Sequence, residues 1–221
     1  RHGLSATFYV ATGYLDGGRM FNDTVVEAIR NATKPLLDLS GLGLDCAESL
    51  PLVDDVQRRA AIRMLLGALK YRQAAERLRL VQNVAERAGG ALPNGLMMRS
   101  SQVQGLRNGG MVVGAHTVSH PIMSGLDDLA AREEVVRCRQ TLESLLGERI
   151  AHFAYPNGVP GRDYTEATAR LVQSLGFDSA VTTGWGAARS GTDPFQLPRF
   201  TPWDQTPHRF VARMARNLWS S

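Results

Sequence analysis

Residues 110–126 read Gly-Met-Val-Val-Gly-Ala-His-Thr-Val-Ser-His-Pro-Ile-Met-Ser-Gly-Leu. The apolar run that opens this stretch is punctuated by glycine and ends on His116. Such a run reads as a buried strand. His120 stands four residues further on, with Pro121 directly after it. A four-residue spacing sets two side chains on one face of a helical turn, from which both imidazoles can reach a single ion. Neutral imidazole is a common ligand of zinc and its neighbours. Proline biases the residue before it away from helix, which puts the pair on a strand-to-helix loop. An arbitrary histidine pair at this spacing is more often two surface residues beside a cap, with Thr117 and Ser119 as capping groups. The strand-end position favours ligands, because α/β folds gather their chemistry at the C-terminal ends of strands.

Outward from this stretch, strand-like and helix-like segments alternate. Residues 4–12, rich in small, β-branched and aromatic side chains between Gly3 and Gly13, read as a strand. A helix is expected over 21–29, with Asn22 or Asp23 as its cap. Residues 31–50, broken by Pro35, Gly41 and Gly43, read as irregular. The Leu-, Ala-, Arg- and Glu-rich stretch 53–88 reads as two helices divided near Gly67 and Tyr71 and ended by Gly89-Gly90. Helices follow over 100–108, 126–146, 164–175 and 207–218. Strands follow over 110–116, 150–155 and 179–183, with a weak one over 196–200. This alternation argues for an α/β fold with a mostly parallel sheet.

The chain has 221 residues, enough for a single substantial domain, and that is the expected organisation. Its 43% apolar content is that of a globular protein. No apolar stretch is long enough for a membrane span, and the start at Arg1-His2-Gly3 is not that of a signal peptide. The formal charge of +4 invites a nucleic-acid reading. Arginines interleaved with Asp and Glu over 55–90 and 127–149 argue instead for solvated helix faces, so no nucleic-acid partner is expected. Cys46 and Cys138 form no CxxC pair and read as two free thiols, which fits the cell envelope or the cytoplasm of a bacterium equally.

The segment from Val113 to Leu126 resembles the second signature of the polysaccharide deacetylases, the NodB-homology carbohydrate esterases, whose H-[ST]-x-x-H pattern supplies two metal ligands. Further resemblances come in the same order as in that family. Gly3–Val10 is similar to its second strand, and Phe153-Ala-Tyr-Pro-Asn-Gly158 to a bacterial form of its third signature. Gly176–Thr183 and Asp193–Arg199 are similar to its closing strands. The resemblance implies a distorted (β/α) barrel, TIM-barrel-like, with a helical insertion near 31–90. It also implies that the first strand, with a T-F-D-D-G-type signature, lies upstream of Arg1. The aspartates of that signature would be the general base and a third metal ligand, so the general base is expected outside this chain.

The implied chemistry is removal of N-acetyl groups from a polysaccharide or oligosaccharide by a divalent metal, zinc first, held by His116 and His120. A bound metal lowers the pKa of its water and polarises the acetyl carbonyl. Tyr155 is the implied backbone N–H donor to the oxyanion, against a packed strand-end tyrosine as the plain reading. Pro156 beside it is grouped with Trp185 as a substrate contact; Trp185 either stacks on a sugar ring or packs. Arg199 either neutralises charge at the site or pairs with an acid. Many members carry a histidine acid in their last signature; the corresponding stretch here, Leu197-Pro198-Arg199-Phe200, has none, and His208 is a weak substitute at a helix start. His2 and His152 read as structural, and Asp16 and Asp23 lie beyond the strand rather than at the matching place. Two other outcomes stay open: a non-catalytic glycan-binding relative and a hydrolase of small amides on the same fold.

Overall fold

A computed structural model of the chain describes residues 3–201 and 203–219; His2 lies outside them. Along the chain run β1 (Thr7–Val10), α1 (Phe21–Arg30), β2 (Leu36–Asp38), β3 (Ser49–Pro51), α2 (Asp55–Leu69), α3 (Ala74–Ala88) and α4 (Ser100–Asn108). They are followed by β4 (Val112–Ala115), α5 (Asp128–Leu146), β5 (His152–Ala154), α6 (Glu166–Ser174), β6 (Ser179–Val181) and α7 (Pro207–Trp219). Two compact units result: the residues up to Leu15 together with those from Arg99 onward, and Asp16–Met98.

The first unit is α/β, as the alternation predicts. Its four strands lie in the order β1-β4-β5-β6, and every neighbouring pair is parallel. Parallel strands are buried on both faces and read as apolar runs rather than alternations. In β4, accordingly, Val113, Gly114 and Ala115 are all buried. Gly114 has a packing reason of its own. A Cβ there would stand 2.6 Å from carbons of the Tyr9 ring on β1. Among the described residues the sheet stays open, with no closure into a barrel. The weak strand expected over 196–200 reduces to a parallel bridge between Val181 and Leu197, beside β6.

Helix α5 crosses from β4 to β5. It buries Ala131, Val135, Cys138 and Leu142, one side chain per turn along one face. Asp127 caps its start by accepting the Ala130 N–H at 2.8 Å, and Gly147 ends it in the left-handed region at φ 68°. Helix α6 then returns the chain to β6 and buries Thr168, Ala169 and Val172. Because all four strands run the same way, their C-terminal ends fall on one edge. The residues after β1, β4, β5 and β6 therefore meet there, whatever their distance in sequence.

The second unit has its own core. Val25, Ala28 and Ile29 of α1 pack with Ala61, Leu65 and Leu69 of α2 and with Leu80, Val81, Val84 and Ala88 of α3. The break between α2 and α3 falls where Gly67 and Tyr71 suggest. The segment 31–50 departs from expectation. It contains an antiparallel pair, β2 with β3, in the register Leu37↔Leu50. Leu37 and Leu50 enter the core, while their strand neighbours face outward. Strands this short, set among Pro35, Gly41, Gly43 and Pro51, carry too little alternation to be read from sequence.

Candidate metal centre at the end of the parallel sheet

His116 leaves the end of β4, and its backbone N–H still donates to the Val10 carbonyl of β1 at 3.1 Å. Its Nδ1 lies 2.7 Å from the Ala154 carbonyl at the end of β5. A carbonyl only accepts, so Nδ1 carries the proton and Nε2 keeps its lone pair for a ligand. Burial first, then His120, then Arg199, push the imidazole down to about 4. His116 is therefore neutral at physiological pH, the form a metal requires. The His120 ring stands 4.7 Å from it, centroid to centroid, in an edge-on arrangement.

The pair comes together by a different backbone route from the one its spacing suggests. Residues 116–120 are not a helical turn. Thr117 and His120 both take left-handed φ values, 65° and 55°. A β-branched residue rarely does so, and the conformation persists only where the surroundings enforce it. Here they do. Thr117 is fully buried, donates its hydroxyl to the His116 carbonyl at 2.5 Å and accepts the His120 N–H at 3.1 Å. The turn after β1 holds the loop from one side. The Thr12 and Gly13 N–H groups donate to the Thr117 and Val118 carbonyls at 3.1 and 2.9 Å, and the Tyr14 hydroxyl donates to the Ser119 carbonyl at 2.9 Å. From α5, Glu134 accepts the Val118 N–H at 2.8 Å, the Ser119 N–H at 2.9 Å and the Ser119 hydroxyl at 2.6 Å. Tyr14 and Glu134 give no sign of this role in the sequence, because only the fold brings them to the loop.

Tyr155, directly after β5, is fully buried and stacks on Tyr164 at 3.9 Å. Its hydroxyl donates to the Phe195 carbonyl at 2.8 Å. Its N–H donates to the Val181 carbonyl at 3.2 Å, so a role at an oxyanion means exchanging that bond for the substrate. Pro156 is buried as well. Arg199 donates Nε to the Thr182 carbonyl at 2.7 Å and sets its guanidinium 5.8 Å from the centre of the Tyr9 ring. Its charge adds a minor push to the lowering of the His116 imidazole, after burial and His120. Trp185 is 49% exposed and meets Phe200 edge-on at 5.3 Å. His152 sits at the other end of β5, within 2.9 Å of the Ser179 hydroxyl, and exposed His208 lies in the first turn of α7. Cys46 and Cys138 are free thiols.

A divalent metal fits this edge in part. His116 offers a desolvated, neutral imidazole with its outer nitrogen anchored, and His120 stands beside it. Catalytic zinc ordinarily takes three protein ligands. Among the described residues, no group of three or more His, Cys, Asp or Glu side chains is placed to hold an ion.

Residues 53–180, more than half of the chain, match the polysaccharide deacetylase family, and the chain belongs to it. Several solved structures are similar in fold. The deacetylase PplD of Streptococcus pyogenes, solved with acetate, is 24% identical over 53% of this chain and 50% of its own, with a TM-score of 0.48. IcaB of Ammonifex degensii is 25% identical over 54% and 52%, with a TM-score of 0.44. A family 4 carbohydrate esterase of Streptomyces lividans, also solved with acetate, is 22% identical over 55% and 67%, with a TM-score of 0.34. The match thus spans about half the length of PplD and of IcaB. No curated protein matches the chain. Among the described residues, no helix is long and apolar enough to cross a membrane.

Proposed function

We propose that the chain carries the histidine side of a metal-dependent deacetylase site that removes N-acetyl groups from a polysaccharide. The observation that carries this reading is the His116–His120 pair, 4.7 Å apart at the C-terminal edge of a parallel sheet, with His116 anchored through Nδ1. Membership of the polysaccharide deacetylase family supports the reaction class. His116 and His120 would hold the ion, zinc by preference for two imidazoles. Bound there, the metal would supply an acidified water and polarise the acetyl carbonyl. The remaining ligand and the general base would be carboxylates that the described residues do not bring to the pair.

Arg199 would keep the edge positive, which favours the negative charge that develops on the acetyl oxygen. Half-exposed Trp185 offers an apolar ring edge to a sugar on the same edge of the sheet. The test is zinc content and acetate release from an N-acetylglucosamine oligomer, for the full-length protein and for His116→Ala and His120→Ala. Each substitution is expected to remove metal and activity together. Unchanged zinc content in both variants overturns the reading. Retained oligosaccharide binding without acetate release in the unsubstituted protein would favour a glycan-binding relative instead.

A further inference from the structure

The metal-ligand loop has a holder outside the motif. Both oxygens of the Glu134 carboxyl group, in the second turn of α5, are engaged by Val118 and Ser119, the two residues between the left-handed Thr117 and His120. Three hydrogen bonds from consecutive residues to one side chain fix both the path and the twist of that segment. A carboxylate accepting backbone N–H groups makes bonds about twice as strong as neutral ones. On the opposite side, Thr12, Gly13 and Tyr14 hold the loop through its carbonyls. Without Glu134, the Val118 and Ser119 N–H groups lose their acceptor while the loop keeps two unfavourable φ values.

We propose that Glu134 is a positioning residue for the metal site: it holds the 117–120 segment in the conformation that brings His120 to His116, and so sets the affinity of the pair for a divalent ion. The inference rests on the metal-site reading above. Its neighbour Glu133 provides a control, since it is exposed and pairs with Arg137 at 3.0 Å on α5. Glu133→Gln changes net charge as Glu134→Gln does, without touching the loop.

The experiment compares unsubstituted protein, Glu134→Gln, Glu133→Gln and His120→Ala, using zinc alone as the probe. Zinc dissociation constants come from competition with a chromophoric chelator. Amide hydrogen exchange at Val118 and Ser119 reports the loop without metal. For Glu134→Gln the expected result is about tenfold weaker zinc binding, the scale found for groups that orient metal ligands. Faster exchange at both amides should accompany it, with a melting temperature below that of Glu133→Gln but a still cooperative unfolding transition. Wild-type zinc affinity in Glu134→Gln overturns the proposal, as does equal weakening in both glutamate variants. If His120→Ala binds zinc as the unsubstituted protein does, the metal-site reading fails and takes the proposal with it. Exchange at Val118 and Ser119 then separates the two failures, because it still shows whether Glu134 holds the loop.

Discussion

Adding one methyl group at each of two glycines should give effects of opposite sign. At Gly13, an added Cβ would lie 2.7 Å from the Val118 carbonyl oxygen and 3.0 Å from its Cγ1. The first is backbone of the histidine loop and cannot swing aside. Relief requires the loop to move away from the turn after β1, which breaks or stretches the Thr12–Thr117 and Gly13–Val118 hydrogen bonds. Two such bonds contribute about 1 kcal/mol each, and forcing a methyl into a packed site costs about 1–3 kcal/mol. Gly13→Ala should therefore destabilise by about 3–5 kcal/mol. Gly105 sits inside α4, where an added Cβ meets nothing within 4 Å. There the gain in helix propensity alone acts, stabilising by about 0.5–1 kcal/mol. Urea-unfolding midpoints of the two variants against the parent test this. Gly13→Ala should also lower zinc affinity, and Gly105→Ala should not. A Gly13→Ala protein as stable as the parent, with unchanged zinc binding, would falsify the claim that the turn after β1 sets the loop.

Other consequences follow from single contacts. Arg58 donates to the carbonyls of Ile29, Arg30, Ala32 and Leu52, which include the last carbonyls of α1. Arg58→Ala should destabilise by about 2–3 kcal/mol in thermal or urea unfolding, and Arg58→Lys by less, since an ammonium cannot reach four acceptors at once. Burial first, then Asp193, push the Tyr164 hydroxyl up to about 12. The fold favours its neutral form, so the stability it contributes is present below about pH 10 and falls away between 10 and 12, by about 2.7 kcal/mol for two units. Unfolding midpoints across that window should decline less steeply in Tyr164→Phe; parallel slopes would contradict the assignment. The Ala154 contact requires His116 to carry its proton on Nδ1. Long-range proton–nitrogen NMR at neutral pH should show that tautomer, and a protonated Nε2 would rule the arrangement out.

The order of elements was legible because punctuation and periodicity agreed. Gly147 and Gly89 end helices in left-handed conformations as C-terminal glycines do, and the single-face spacing of Ala131, Val135, Cys138 and Leu142 matches a buried helix stripe. The hairpin of β2 and β3 was not legible, because three-residue strands give one inward side chain each and no repeat to recognise. The expected strand over 196–200 contributes one bridge, since Leu197 alone meets β6 at Val181. At the candidate site, the histidines stood out in the sequence because imidazole is a common metal ligand. Tyr155 and Pro156 show the limit of the same approach: both follow directly after β5, and both are buried.

The histidine pair also shows how a spacing argument can rest on the wrong backbone. A four-residue separation suggests a helical turn, whose φ values are ordinary for any residue. The observed loop instead reverses through two left-handed residues, one of them a β-branched threonine. Such a segment cannot be stable by itself, so its conformation must come from partners remote in sequence. Those partners are Thr12, Gly13 and Tyr14 after β1 and Glu134 on α5. Local pattern reading sees none of them, since their link to the loop exists only once β1 and α5 lie against β4. The geometry of the histidine pair is thus a property of the sheet edge, and substitutions at those remote residues should disturb it.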